Sequence, residues 1–555
     1  EVGLYQFAHA LMQETLTSEL SANRTVRLHA RIAEALEEFY GDAADEKAAE
    51  LAEHFAEAET VLGSGKLVHY LALAGEESLA LFDNQTAKAQ FARALASLEH
   101  SSMDDTKAAL TFNLGRAIAA TAPEPEMQGA VDNLAIAFDY YASSGQHAKA
   151  IDVAATQLPT VARLQGVAEM ARKGLALCDP ESLQYGRLLS RYAIGMFFEH
   201  GDLESALDSA DRAVEIARKH DDQLTEMFAL IAKSVALEHS GRGADVLAIV
   251  PRSIELAVLN NDPSAEAHIR FYASYDEVRA GHLQLAREHA ERAVELSDRY
   301  RLTYRLLSAL SVALFVAAVE GDWNTVRSIF ARSSDIDPND HRILDPTVQM
   351  MLFIGEFEEA REILSRWRAA LDSGQADQHR GGVAYANLIA EYSMATGDLD
   401  ELEVAEAHIE ANISAGDTPG VRNQARMADI LVAMARNSIA KARSLFEELA
   451  IDPGKPMPGE FIGASVVSRL AYFVREISIA EQLFQRNIRF FRDAGYKPFV
   501  ALESANYAQL LLDRDAPGDR EKATEFQDEA IAIATELGMN PLLERVLAQR
   551  EILKA

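Results

Sequence analysis

The sequence predicts an all-α fold, a superhelical array of about a dozen helix-turn-helix repeats. Three observations support this fold class. A helix, a Gly with a polar residue, and a second helix recur about every 40 residues, for example around Gly201, Gly281 and Gly397. Only 7% of the residues are aromatic, and Ala and Leu recur throughout, a composition that favours closely packed helices over strands. At 555 residues the chain is too long for one compact core, whereas a repeat array grows by stacking.

A small residue five positions after the inter-helix Gly fixes the register of the repeats. A large apolar residue often follows it after four positions and a small one after seven, which places all three on one helix face. The spacing between register residues runs from 34, between Val326 and Ala360, to 43, between Ala87 and Ala130. The small residues allow two helices to approach closely, and the large one fills the space between them. The twelve register residues are Ala87, Ala130, Ala168, Ala206, Val246, Ala286, Val326, Ala360, Leu402, Ala442, Ala480 and Ala523.

The Gly between the two helices of a repeat has a conformational reason. It can adopt the left-handed backbone conformation that ends the first helix. An Asp that follows it, as in Gly201-Asp202 and Gly321-Asp322, can cap the second helix with its side chain. The recurrence of this dipeptide therefore predicts paired helices joined by tight turns.

This pattern resembles the tetratricopeptide repeat (TPR). The small–large–small set and the inter-helix Gly-Asp are retained, the consensus Trp and Pro are mostly absent, and the period is about 40 rather than about 34 residues. The resemblance covers roughly residues 66–540. It implies antiparallel helix pairs, with helices longer than in the consensus repeat, stacked into a right-handed superhelix. The expected fold is therefore an all-α, right-handed superhelical solenoid of about twelve TPR-like helix-turn-helix repeats.

The net charge of −33 bears on possible partners. Such an excess of carboxylates repels phosphate backbones, so we expect no direct nucleic-acid contact by this chain. Cys178 is the single cysteine, which excludes an intramolecular disulfide and fits a reducing, cytoplasmic location. The longest apolar stretch, 306–319, is too short to span a bilayer and lies between Arg305 and Glu320, so it predicts a buried helix and no membrane association.

The first 60 residues differ from the repeats. Helical segments at 5–16, 27–37 and 49–55 resemble the junction of large bacterial signalling ATPases of the STAND class, where an ATPase and winged-helix module hands over to a helical sensor arm. The segment 536–547 resembles the end of such arms, often just before a LuxR-type DNA-binding domain. The chain begins at Glu1 without a Met, which is consistent with a piece of a longer protein.

This second resemblance implies the sensor arm of a maltose-activator-type regulator or of an adenylate-cyclase-associated protein. Any chemistry with ATP or DNA would then lie outside this chain. The expected organisation is a helical junction at 1–60, a TPR-like superhelical array at 61–545, and a C-terminal helix end or linker at 546–555.

Two short motifs resemble ligand-binding loops but lack required residues. The segment 63–66 lacks the first Gly of a phosphate loop and has no Ser or Thr after its Lys. The segment 335–340 begins like a calcium loop, but Asp340 stands where the loop needs Gly and Pro346 where it needs Glu. Both segments are therefore expected to be turns between helices.

Four histidines in the first helical pairs, His9, His29, His54 and His69, lack the i, i+4 spacing of metal ligands. His29 and His54 lie on apolar helices and are expected to be packed, hydrogen-bonded side chains. No nucleophile elbow, zinc-ligand motif or dinucleotide fingerprint occurs. We therefore expect no catalytic residue, no metal and no cofactor, and no enzyme activity of the chain itself.

The first helix of each repeat lines the concave face of such an array. Aromatic side chains with interspersed Arg are typical of a binding groove, and the segment 268–279 is the strongest candidate. The alternative, that several of these side chains simply pack against neighbouring helices, stays open. The predicted groove residues are Arg191, Phe198, Glu199, His268, Phe271, Tyr275, Arg279, Phe315, Arg342, Gln349, Phe353, Asn387, Glu391, Arg469, Tyr472 and Phe473.

Three functions are consistent with these features. The first is a sensor arm that binds a peptide, a protein surface or a small-molecule inducer in its concave groove and regulates transcription or cyclic-nucleotide synthesis. The second is a stand-alone scaffold that assembles other proteins, and the third, the least favoured, is an enzyme built on helical repeats. Neither the identity of the ligand nor the oligomeric state follows from the sequence.

Overall fold

The computed structural model describes residues 21–121, 126–158, 164–414, 419–451 and 461–554. Within these ranges the chain forms 27 α-helices and no β-strand, which confirms the predicted all-α fold. The first seven helices are α1 (Ala22–Tyr40), α2 (Ala48–Leu62), α3 (Gly65–Ala80), α4 (Asn84–Ser97), α5 (Asp105–Thr121), α6 (Gln128–Ser143) and α7 (His147–Ala154), with two short 3-10 helices, Gly41–Ala43 and Asp45–Lys47, between α1 and α2.

The remaining twenty helices continue the same alternation of first and second helices. They are α8 (Val167–Leu175), α9 (Leu183–His200), α10 (Leu203–Lys219), α11 (Gln223–Glu238), α12 (Gly243–Leu259), α13 (Pro263–Ala280), α14 (Leu283–Arg299), α15 (Thr303–Glu320), α16 (Trp323–Ser334), α17 (His341–Ile354), α18 (Phe357–Asp372), α19 (Arg380–Thr396), α20 (Leu402–Ser414), α21 (Pro419–Ala435), α22 (Ile439–Glu448), α23 (Phe461–Phe473), α24 (Ile477–Ala494), α25 (Lys497–Arg514), α26 (Asp519–Leu537) and α27 (Asn540–Lys554). From α9 onward, the odd-numbered helices are the first helices of their pairs.

The described helices form two compact units. The first unit contains α1–α7 and ends at residue 158, and the second contains α8–α27 and begins, among the described residues, at 164. Inside each unit, helices that follow one another in sequence pack side by side, as in a stack of helix pairs. The predicted solenoid of TPR-like helix pairs is therefore confirmed as the fold of the chain.

The register residues occupy the positions that the repeat pattern gives them. Each of the twelve lies within the first five residues of a second helix, and each side chain is exposed by 3% or less. Ala206 in α10 and Ala286 in α14 are two examples, both fully buried. Nine of the twelve are Ala, which lets the two helices of a pair approach closely, and Val246, Val326 and Leu402 occupy the other three positions, also fully buried.

The turns between paired helices follow the predicted chemistry. Gly201 and Gly321 adopt positive φ angles of 66° and 83° and end α9 and α15. Asp202 then accepts a hydrogen bond from the Ser205 backbone N–H at 3.0 Å. Such an N-cap stabilises a helix by about 1 kcal/mol because it satisfies a backbone donor at the open helix end.

In the second unit the first helices form an inner layer. Each first helix from α9 to α27 packs against the next first helix as well as against its partner. In α13, 11 of 18 residues are buried, and in α15, 12 of 18, whereas α14 buries 5 of 17 and shows one apolar stripe. By length and composition alone α15 could cross a membrane, but most of its residues are buried inside the protein, as predicted for the stretch 306–319.

The second unit also turns back on itself with an offset of about five helix pairs. Helix α15 packs against α25, and α17 packs against α27. Hydrogen bonds with this offset run from Trp323 Nε1 to the Leu537 carbonyl at 2.7 Å and from the Gly420 N–H to the His239 carbonyl at 3.2 Å. The Tyr496 hydroxyl, just before α25, donates to the Val278 carbonyl on α13, between five and six pairs away. One turn of this solenoid therefore takes about five pairs, and successive turns touch.

Five pairs to a turn leave little room at the centre of the inner layer. Helices that pack about 9 Å apart around a five-membered ring lie roughly 8 Å from its axis. A helix with its side chains has a radius of about 5–6 Å, so the centre is filled mainly by side chains of the first helices. The concave face of this unit is thus a narrow, largely packed interior.

Candidate binding cluster on the first helices

The predicted groove residues all lie on first helices of the second unit, as the repeat register requires. They are distributed over α9 (Arg191, Phe198, Glu199), α13 (His268, Phe271, Tyr275, Arg279), α15 (Phe315), α17 (Arg342, Gln349, Phe353), α19 (Asn387, Glu391) and α23 (Arg469, Tyr472, Phe473). They do not form one surface. Some meet in a polar and aromatic cluster, and others pack under later helices of the same chain.

A series of rings connects three successive first helices. The ring of Phe198 lies 5.2 Å from that of His239, which lies 6.0 Å from that of Tyr272. The ring of His268 lies 5.1 Å from that of Tyr272. These separations allow edge-to-face contacts, which stabilise aromatic pairs beyond the area they bury.

The sequence prediction included Phe198 and His268 but missed His239 and Tyr272. A signal for His239 existed, because it stands seven positions before Val246 just as Arg279 stands seven before Ala286. Carrying the register through every pair would have placed it on the inner layer. Tyr272 follows Phe271 directly, and no pattern in the sequence separates the two.

Arginines of three first helices extend this series of rings. The guanidinium carbons of Arg305 and Arg342 lie 5.8 and 5.5 Å from the centre of the Tyr304 ring, and that of Arg380 lies 5.9 Å from the Phe198 ring. Guanidinium groups at this distance are attracted by the ring faces. We call the set Phe198, His239, His268, Tyr272, Tyr304, Arg305, Arg342 and Arg380 the basic-aromatic cluster.

Two members of the cluster, Arg342 and His239, contact carboxylates. Arg342 forms an ion pair with Asp340 and donates from Nη1 to the Ser308 hydroxyl at 2.8 Å. His239 Nδ1 lies 2.9 Å from a Glu238 carboxylate oxygen, and Glu238 also pairs with Arg279. These carboxylates are therefore held in ion pairs and are not available as general bases.

His268 contributes a neutral ring. It is 4% exposed, and burial lowers its pKa well below the usual range, with the nearby charges of Arg305 and His239 acting in the same direction. At neutral pH the positive charge of the cluster therefore comes mainly from its arginines.

Arg191 lies on the same face of α9 as Phe198, two turns earlier. It is 1% exposed, and neither Nε nor Nη1 has a hydrogen-bond partner. Burial lowers its pKa to about 10, so the group still carries its charge at neutral pH. Glu199 attracts it at a distance, but the Glu199 carboxylate accepts hydrogen bonds from the N–H groups of Gly166 and Ala168, at 3.0 and 2.8 Å.

The other predicted residues of α13 and α15 are covered by later helices of the chain. Tyr275 and Phe315 stack with ring centres 5.0 Å apart, inside an apolar cluster that includes Phe491 and Phe499. Arg279 donates to Asp276 and to Glu238, both at 2.9 Å. Tyr275 and Phe315 therefore serve the contact between successive turns of the solenoid, whereas Arg279 pairs with its own helix and with the preceding first helix.

The predicted residues of the later first helices form local polar pairs. Arg469 donates to Glu391 at 2.6 Å, and the Tyr472 hydroxyl donates to Asp513 at 2.7 Å. Asn387 and Gln349 are half-buried. None of these residues contacts the basic-aromatic cluster through a hydrogen bond or ion pair in the described part of the chain.

The loops that resemble ligand motifs are turns between helices. Gly63, with φ 77°, separates α2 from α3, and Lys66 pairs with Glu37. Asp340 caps α17 by accepting from the Arg342 N–H at 2.9 Å.

The histidines of the first unit form hydrogen-bonded pairs. His29 Nδ1 lies 3.0 Å from His54 Nδ1, and His69 Nε2 lies 2.9 Å from Asp45. His9 and the segment 5–16 lie outside the described residues. Among the described residues, no three His, Cys, Asp or Glu side chains are arranged to hold a metal ion.

A surface recess of about 240 Å³ lies apart from the cluster, at the turn between α10 and α11. Arg218, Glu226 and Arg252 line it, together with residues 221–223. Glu226 pairs with both arginines, at 2.9 and 2.7 Å. Because these charges satisfy one another, the recess presents no group that requires a ligand.

Comparison with known proteins bears on the fold alone. No protein-family model and no curated protein matches the chain. Two similar solved structures are a Rap protein complexed with Competence and Sporulation Factor, at 12% identity and a TM-score of 0.39, and the APC/C hetero-tetramer Cut9–Hcn1, at 15% identity and a TM-score of 0.48. The first likeness covers 65% of this chain and 99% of the other, and the second covers 97% and 94%.

Proposed function

We propose that the second unit is a binding module that captures a ligand no larger than a short peptide on its inner layer. The observation that carries the proposal is the basic-aromatic cluster. It brings together rings and guanidinium groups from the six successive first helices α9 to α19. Aromatic and Arg side chains in a desolvated setting supply most of the binding energy in recognition sites. The narrow interior favours a peptide segment or a small molecule over a folded protein surface.

The proposed activity is binding rather than turnover. The cluster offers cations and ring faces, while its nearby carboxylates, Asp340 and Glu238, are held in ion pairs. General acid–base catalysis needs a group that can exchange a proton near neutral pH, and the buried His268 is held neutral there. A repeat-based enzyme is therefore the weaker alternative.

We further propose, on the resemblance of its two ends, that the chain is the sensor arm of a STAND-class signalling protein of the LuxR or cyclase-associated type. In that role, ligand binding would bias the parent protein between two states, which requires a different affinity for each. A stand-alone scaffold that assembles proteins is the alternative. The complete reading frame distinguishes them: a phosphate-binding motif upstream or a helix-turn-helix downstream supports the sensor arm.

A thermal-shift screen with small molecules and short peptides tests the binding proposal. A ligand that binds the folded state raises the midpoint of unfolding by mass action. Phe198→Leu, inside the cluster, should abolish or reduce this shift, while Phe330→Leu, on the second helix α16, should leave it unchanged. If ligands bind equally well to both variants and lose binding only through substitutions on second helices, the proposed location is wrong.

A further inference from the structure

Three arginines on the inner layer form no hydrogen bond or ion pair with an acidic residue of the described chain, although the sequence carries 33 more negative than positive charges. Arg191 is buried, and Arg305 and Arg380 are half-buried. Within the described residues none of the three donates a hydrogen bond or forms an ion pair. Resting on the binding function proposed above, we infer that the ligand carries at least two oxyanion groups, carboxylate or phosphate, which these arginines receive.

The contrast with outer arginines supports the inference. Arg492, on the second helix α24, forms a two-pronged pair with Glu529. Arg212 pairs with Glu181 and Glu215 at the outer surface. Inner arginines also pair where an acid is within reach, as Arg469 does with Glu391. The buried and half-buried inner arginines without such a pair therefore point to an external anion.

Arg191 gives the strongest physical reason. Removing a guanidinium from water costs several kcal/mol unless it is paired and hydrogen-bonded. Two of its donor nitrogens are buried without a partner, and Glu199 is engaged elsewhere. An unpaired buried cation destabilises the ligand-free protein, and an anion delivered to it would regain that energy as affinity. Nε and Nη1 point to different sides of the guanidinium, and each can donate to one oxyanion oxygen.

Arg305 and Arg380 supply the second position. Arg380, at the start of α19, reaches back across the five-pair offset to the Phe198 ring. Arg305 stands beside Tyr304 and acts electrostatically on His268, Tyr272 and Arg342. Its pKa is lowered mainly by burial, while Asp262 attracts it at a distance. Around these cations the rings provide an apolar setting in which charge–charge attraction is less screened than in water.

Calorimetric titration of the full chain with three probes tests the inference. Triglutamate presents carboxylates, inorganic pyrophosphate presents phosphates, and triglutamine matches triglutamate without charge. We expect triglutamate or pyrophosphate to bind and triglutamine not to bind, with affinity that falls as salt is added. Whichever anion binds more tightly identifies the source of the oxyanion.

Variants locate the site. Because a hydrogen bond to a charged group contributes about 1.5–3 kcal/mol, Arg305→Gln or Arg380→Gln should weaken the anion affinity about 10- to 100-fold. Arg299→Gln is the matched control, since Arg299 is exposed on the second helix α14. Arg191→Met should weaken binding and, unlike a typical core substitution, raise the unfolding midpoint of the ligand-free protein.

Two outcomes would overturn the inference. Equal binding of triglutamate and triglutamine would refute an anion site while leaving the binding function intact. Failure of both triglutamate and pyrophosphate to bind would also refute it, and a neutral ligand from the thermal-shift screen that binds in a Phe198-dependent manner would show that the binding function itself stands. A fall in the ligand-free midpoint of Arg191→Met would show that Arg191 is a structural residue and remove it from the site.

Discussion

The two units use the same helix pair but different ranges of contact. In the first unit the described hydrogen bonds join residues at most 44 positions apart, as between Lys149 and Asp105, whereas Tyr496 and Val278 in the second unit are 218 positions apart. The described residues of the first unit form seven helices, fewer than the five pairs that one turn requires. A solenoid of this repeat can therefore contact its own next turn only when it is longer than five pairs, and only the second unit is.

This difference changes how stability is distributed. In an open stack, each pair is stabilised by its neighbours, so a local defect stays local. In the second unit, helices such as α15 and α25 share an interface, and a defect in one lowers the stability of the other. Native-state hydrogen exchange can measure this directly, because it reports opening free energies helix by helix.

The largest expected effect lies in the first unit. Phe91 is fully buried in α4 and packs against Gly75 in α3, where even an added Cβ would meet its ring. Phe91→Ala should cost about 3–5 kcal/mol of local stability because it removes a core aromatic side chain. Hydrogen exchange should rise in α3, α4 and α5 and remain unchanged in the second unit; a uniform rise over both units would contradict the separation.

The pH dependence of stability should also differ between the units. Glu503 in α25 is fully buried, and burial raises its pKa to about 7 even though Ser465, Ser468 and Asn487 donate hydrogen bonds to it. The folded state holds this proton to higher pH than the unfolded state, where the pKa is about 4.5. Stability should therefore fall by about 3 kcal/mol as the pH rises from 4.5 to 7.

Glu37 in the first unit should make stability change with pH in the opposite direction to Glu503. Burial pushes its pKa up, but hydrogen bonds and charge from Lys66 and Tyr70 outweigh this and lower it. Its contribution is present above the unfolded pKa and lost as the pH falls through the folded value. Urea unfolding between pH 3 and 7 checks both signs, with the Glu37 effect expected below about pH 4.5 and the Glu503 effect above it. Glu503→Gln should flatten the loss in the second unit only, and an unchanged slope would refute the role of Glu503.

The contact between successive turns can be weakened without disturbing a pair. Trp323→Phe keeps an aromatic ring but removes the donor to the Leu537 carbonyl, which should cost about 1–2 kcal/mol. Exchange should rise at the start of α16 and at the end of α26, two segments more than 200 positions apart. Trp367→Phe is the matched control, because Trp367 Nε1 has no partner in the described structure; its effect should remain within α17–α19.

These contacts show what the sequence can and cannot predict. The register residues, the turns and the inner position of Arg191 and His268 follow from local spacing, because helix pairing is a short-range property. The five-pair offset depends on small rotations between successive pairs that accumulate over some 200 residues. The sequence does indicate in part that successive turns touch. A first helix that is apolar on all sides, such as α15, must be covered on all sides.

The same limit applies to the candidate site. Arg305 marks the end of an apolar stretch in the sequence, and Arg380 precedes Gly381-Gly382, so neither stands out as a ligand-binding residue. Arg380 joins the cluster only because α19 lies one turn of the solenoid beyond α9. Conversely, Tyr275 and Phe315 have the composition of a groove, but the next turn covers them.

The smallest expected effect comes from removing a helix N-cap, an interaction that takes no part in the contact between turns. Asp202 accepts from both the N–H and the hydroxyl of Ser205, at 3.0 and 2.7 Å, whereas Asp83 in the first unit accepts from the Thr86 N–H at a longer 3.4 Å. Asp202→Ala should lower the free energy of unfolding by about 1 kcal/mol, and Asp83→Ala should lower it by only about 0.3 kcal/mol. Denaturant unfolding of both variants checks the order.

In the Asp202→Ala variant, native-state hydrogen exchange should become faster in the first turn of α10 and stay unchanged in α19, although Phe198 and Arg380 bring α9 and α19 together. The reason is that the cap satisfies a donor of its own helix and takes no part in the contact between turns. If α19 responded as strongly as α10, the whole second unit would open as a single body, and coupling could not be assigned to the side chains that cross between turns.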